Sequence, residues 1–194
     1  VQEETRLLIE LAPDREGSGL KPMAERSDEL KRMMQDAYDL VILLLDTGAR
    51  YSEIANIEWE RIDMTERAIH LWRSKVQNET VLYMTDRVFE VLSRRLATKA
   101  SPYVFSNRDG EARGYCTQSI RKAILRAGLQ KVRVHTLRHT LATRLIQNGM
   151  SVYEVREILG HSDIKTTMRY AHLESRQVTS KARDVINQLN QRSL

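Results

Sequence analysis

Arg50, His135, Arg138, His161 and Tyr170 are residue types that together suit attack on a phosphodiester. An arginine fork presents parallel N–H donors to phosphate, a histidine moves or shares protons, and a tyrosine hydroxyl is a nucleophile. They occur in four short strings. Thr47-Gly48-Ala49-Arg50 has Glu53 three residues on, placed to pair with the arginine. His135-Thr136-Leu137-Arg138-His139 puts His135 and Arg138 on one face of a helix start, where the helix dipole favours an anion. Leu159-Gly160-His161 and Arg169-Tyr170 complete the set. Each alone has an ordinary reading: an arginine ending a helix, a histidine by a glycine C-cap, a partly buried tyrosine. His135 and His139 have i, i+4 spacing, but Thr136 stands where a zinc metalloprotease helix needs Glu, and His139 alone reads as a packing or supporting residue. A tyrosine with an ordinary pKa near about 10 needs help at neutral pH, which clustered arginines or a histidine can supply.

The elements that must position these residues follow from periodicity. Leu7, Leu8 and Leu11 share a helical stripe over 3–11, broken by Gly17-Ser18-Gly19. Ser27 caps a long helix ending in Val41-Ile42-Leu43-Leu44-Leu45 and stopped by Gly48. Ser52 is expected to cap a short helix over 53–59. Residues 68–72 and 81–84 read as two strands with a polar turn over 74–79, and 103–105 as a further short strand. Helices are expected over 86–96, 116–127, 136–148, 151–159 and 163–169. Val178, Ala182, Val185, Ile186 and Leu189 make an amphipathic tail helix. The class is α+β, mainly α, with a small antiparallel sheet.

Eight glycines and three prolines in 194 residues fit one domain with a real core. A single cysteine, Cys116, gives neither a disulfide framework nor a metal cluster and fits a reducing cytoplasm. No apolar run is long enough to cross a membrane, and no membrane partner is expected. The net charge of +5 is unevenly spread. Residues 1–40 carry six Lys/Arg against ten Asp/Glu, and residues 86–144 carry thirteen against four. This bias suggests one face meant for a polyanion.

The order and spacing of the four strings resemble the catalytic domain of the tyrosine recombinases, the family of phage integrases and Xer-type resolvases. The resemblance implies that family's catalytic-domain fold over 1–173, with an N-terminal helix and loop over 1–26, and a tail helix over 174–194. The N-terminal DNA-clamping domain usual in the family is not visible, and a chain beginning at Val1 reads as a fragment or a processed product. The resemblance also implies strand cleavage through a 3′-phosphotyrosyl intermediate, without metal or other cofactor. Arg50, Arg138 and His161 would hold the phosphate, Tyr170 would attack it, and His135 would assist the proton transfer. Glu53 and His139 would support. The family places a general-acid lysine in the hairpin, which Lys75 matches, and no other lysine lies between Lys31 and Lys99. Implied partners are duplex recombination sites, a homotetramer on DNA, and accessory DNA-bending or excision factors in a bacterial nucleoid, with a lean towards a phage or mobile-element integrase. The rival readings are a type IB topoisomerase and a DNA-binding module that cuts nothing.

Overall fold

The computed structural model describes residues 2–17, 19–73, 78–161, 163–173, 181–183 and 186–188. Its centre is α2 (Asp28–Thr47). Ser27 accepts a hydrogen bond from the Leu30 amide, Asp28 and Glu29 oppose the positive end of the helix dipole, and Gly48 ends the helix. The last turns are buried on every side, from Leu40 to Leu45. Around this rod lie α1 (Gln2–Leu11), α3 (Tyr51–Ala55), α4 (Asp86–Ala97), α5 (Gln118–Arg126) and the first half of α6 (Val134–Gln147). The second half of α6 packs with α7 (Val152–Leu159) and Tyr170 into a separate small core of Ala142, Ile146, Val152, Val155 and Leu159, beside the short α8 (Ile164–Met168).

The sheet has three antiparallel strands rather than two. β1 (Ile62–Asp63), β2 (Ala68–Arg73) and β3 (Asn78–Tyr83) pair in sequence order, from Ile62 opposite Ile69 to Arg73 opposite Asn78. Asn78 and Glu79, expected in the turn, belong to β3. Alternation points Ile69, Leu71 and Arg73 inward and leaves Trp72, Val81 and Tyr83 exposed. Residues 103–105 do not form a sheet strand. Tyr103 makes one bridge to Glu58, while Val104 and Phe105 go into the core. Burial of the two side chains explains the apolar run without strand pairing.

The charge bias has a different structural meaning from the one expected. Seven of the thirteen cations of residues 86–144 form ion pairs with acids of residues 1–46. Arg95 bridges the buried carboxylates of Asp36 and Asp39, for example, and Arg144 and Arg87 both meet Glu4. The acidic start and the basic middle are largely two sides of one packing interface.

Of the expected tail helix, residues 181–183 and 186–188 are helical, and Lys181 donates to the Gly149 carbonyl. Val178, Val185 and Leu189 lie outside the described residues. No helix among the described residues is long and apolar enough to cross a membrane.

Candidate active site

Arg50 is delivered by a tight break. Gly48 has φ +61, a left-handed conformation that suits glycine, and a Cβ there would lie 2.6 Å from Leu159 and 2.8 Å from Leu141. Thr47 locks the turn by donating to the Leu43 carbonyl and accepting from the Ala49 amide. Arg50, not Ser52, then occupies the cap position of α3. The Glu53 carboxylate accepts the Arg50 amide at 2.7 Å and its guanidinium at 2.6 Å. The short helix ends at Ala55, because the next residues turn through a 3₁₀ segment at Trp59–Arg61 into the sheet. Glu53 thus fixes both the backbone and the side chain of Arg50, the pairing expected from their spacing.

Arg138 lies one turn into α6 and is buried, at 3 % exposure. Its fork donates to the Gly48 carbonyl at 2.7 Å and to the Leu159 carbonyl at 2.5 Å. These bonds tie three of the four sequence strings to one side chain. Burial, with Arg50 and Arg73 nearby, lowers its pKa to about 10. His135 is one turn earlier on α6, and its pKa is lowered by burial and by Arg138, Arg50 and Arg169. His161 follows Gly160, which caps α7 with φ +61. The His161 ring meets the Thr167 hydroxyl at 2.7 Å, and burial followed by Arg138 and Arg50 lowers its pKa to about 4. Arg50 and Arg138 therefore bear on both histidines, so the two guanidiniums share one neighbourhood instead of facing opposite surfaces.

Tyr170 is 7 % exposed, and its hydroxyl is hydrogen-bonded to Nδ1 of His139. The His139 ring in turn stands edge-on to His135, centroids 4.7 Å apart. Sequence reasoning gave His139 a packing or supporting part; it is the ring that touches the hydroxyl. The expectation that nearby arginines lower the tyrosine pKa is also corrected. Burial dominates and raises it, against the opposing pull of Arg169 and Arg138. His139 is itself held below its ordinary pKa, chiefly by burial and then by His135. A neutral ring in that position is a proton acceptor.

Lys75 lies outside the described residues, although the strands that flank it are described. Sequence reasoning missed Arg73, which is buried behind the Leu159-Gly160-His161 string. Its signal was legible: a charge at the third inward position of a strand after Ile69 and Leu71. No group of three or more His, Cys, Asp or Glu among the described residues could hold a metal ion. A cleft of 540 Å³ opens beside His135 and is lined in part by Arg121 and Arg133.

The profile of the phage integrase family matches residues 23–177. The chain belongs to that family. It is 31 % identical over 176 residues to the integrase of Salmonella phage P22, covering 81 % of this chain and 45 % of that protein. It is also 31 % identical over 162 residues to the tyrosine recombinase XerD of Staphylococcus aureus, covering 78 % of this chain and 53 % of XerD. The chain thus spans about half the length of these curated relatives. The catalytic domain of bacteriophage HP1 integrase superposes with a TM-score of 0.64 at 26 % identity, over 93 % of this chain and 91 % of that one. XerA recombinase superposes at 0.67 and 26 % identity, over 93 % of this chain and 63 % of that one. The integrase catalytic-domain fold is the one expected from the sequence.

Proposed function

We propose that this chain carries the strand-cleaving site of a site-specific DNA recombinase. Tyr170 attacks the scissile phosphorus and forms a 3′-phosphotyrosyl bond as the bond to the 5′ oxygen breaks. The tyrosine proton goes to Nδ1 of His139, and His135 assists by holding that ring edge-on. Arg50, Arg138 and His161 stabilise the charge on the pentacoordinate phosphate, as fixed donors do in other transferases. Lys75 protonates the departing 5′ oxygen. The covalent bond keeps the energy of the broken one, so the 5′ hydroxyl of another strand can reseal it. The observation that carries this reading is the His139–Tyr170 bond inside a cluster on which Arg50 and Arg138 both act.

The partner is duplex DNA carrying a recombination site, with Arg121 and Arg133 on the cleft beside His135 suited to its phosphates. XerH recombinase has been solved bound to its difH substrate; its likeness to this chain, at 18 % identity, concerns fold alone. Four copies on two duplexes would exchange strands, accessory bending or excision factors would set the direction, and the bacterial nucleoid would be the working place. Residues 174–194 would then form a tail that controls assembly, separate from the 1–173 catalytic unit. An integrase of a phage or mobile element fits the P22 relationship.

A nicked suicide duplex tests the chemistry. The wild-type chain is expected to form a covalent adduct, and Tyr170→Phe to form none, a loss on the order of 10⁴-fold or more. An adduct with Tyr170→Phe would overturn the assignment. Relaxation of supercoiled DNA without any recombination site would point to a topoisomerase instead.

A further inference from the structure

We propose that Arg73 is a positioning residue that holds the Leu159-Gly160-His161 string, and with it Arg138, in register with Arg50. The proposal rests on the strand-cleavage reading above and adds a third arginine to it, one that never meets DNA. Arg73 is fully buried at the inward end of β2. A guanidinium there needs several partners to offset its lost hydration. It donates to the Thr80 hydroxyl at 3.0 Å, to the Ile158 carbonyl at 2.8 Å and to the Leu159 carbonyl. The Glu53 carboxylate, already bound to Arg50, lies 3.9 Å away.

Those two carbonyls belong to the last turn of α7, where carbonyls lack partners within the helix and the dipole favours a cation. The Leu159 carbonyl accepts from Arg73 on one side and Arg138 on the other. Gly160 lies directly against the Arg73 side chain, so a Cβ at residue 160 would collide with it. The next residue is His161. One buried side chain therefore touches the support of each phosphate-holding group: Glu53 for Arg50, Leu159 for Arg138, and Gly160 for His161. An apolar side chain of similar volume would fill the site without the desolvation cost. The charge is explained by what it aligns, since Arg73 and Arg138 repel one another and still share an acceptor.

The test compares wild type, Arg73→Met and Arg73→Lys in single-turnover adduct formation on two suicide duplexes. One carries the ordinary scissile phosphodiester, the other a neutral methylphosphonate there. Arg73→Met is expected to form adduct about 10- to 100-fold more slowly on the phosphodiester, with duplex affinity within about threefold of wild type. Arg73→Lys should recover part of that rate. On the methylphosphonate the loss should shrink to about threefold, because there is little charge for a misaligned clamp to hold. Equal losses on both duplexes, or a loss that follows duplex affinity or thermal stability, would make Arg73 a fold staple and overturn the proposal. Should Arg73→Met not fold, Thr80→Val removes one partner of the guanidinium at nearly constant shape. It must show the same direction on the phosphodiester and the same shrinkage on the methylphosphonate, or the proposal fails. No adduct from the wild type would instead sink the activity itself, an outcome distinct from a wild type that reacts and an Arg73→Met that matches it.

Discussion

Arg50 and Arg138 are anchored where the large core meets main-chain carbonyls and a carboxylate, whereas Tyr170 belongs to the small core between α6, α7 and α8. α6 serves both: Leu137 faces the large core, and Ala142 and Ile146 face the small one. The phosphate-holding groups are thus set before any substrate arrives. The nucleophile rests on a five-residue helix and a handful of apolar contacts. Preorganised donors lower a barrier most when they do not have to move. A nucleophile that must enter and leave a covalent bond gains from a thinner support.

Removing a fixed donor should give the largest effect on that contrast. Arg138→Ala is expected to slow adduct formation by about 10²- to 10³-fold while duplex affinity changes far less. An equal loss in both measurements would mark Arg138 as a binding residue and erase the distinction between the two regions. His139→Phe keeps a ring against Tyr170 but removes the acceptor. Single-turnover cleavage should fall by about 10²-fold, the usual range for losing a proton-transfer group. A rate unchanged by that variant would return the proton to His135 or to water.

Gly48→Ala probes the seam itself, since Gly48 touches Leu159 and Leu141 and bonds Arg138. Left-handed strain and the collision should together cost about 2 kcal/mol or more, read as a lower melting temperature. A melting temperature equal to wild type would mean that the two cores yield more easily than their packing implies.

The smallest effect concerns pH. His135, His139 and His161 all have folded pKa values below the ordinary histidine value, His161 at about 4. The unfolded chain binds these protons first, so this contribution is intact above about pH 6.5 and is lost as pH falls towards 4. Denaturant titrations should show that decline, and His161→Gln should flatten it. A decline unaltered by the substitution would assign it to carboxylates.

The four catalytic strings, the long helix, its Ser27 cap and its Gly48 stop were legible because they rest on local chemistry: capping, period and residue type. The sheet was legible for its two longer strands, but a two-residue β1 carries too little pattern to read. The start of α3 was misread because Ser52 is a good cap in isolation, while a tertiary requirement put Arg50 there with Glu53 reaching back. The charge bias misled for a related reason. Composition records sign along the chain, and only folding shows that Asp36 and Asp39 meet Arg95, and Glu4 meets Arg144.

By itself the sequence determined which side chains can do phosphoryl chemistry, their order, and the helices that carry most of them, since each depends on neighbours within a few residues. Tertiary structure alone decided that His139 rather than His135 meets the Tyr170 hydroxyl, that burial raises the tyrosine pKa, and that Arg73 and Arg138 share one carbonyl. Those facts depend on contacts between residues 21 to 86 positions apart, whose geometry no local spacing encodes.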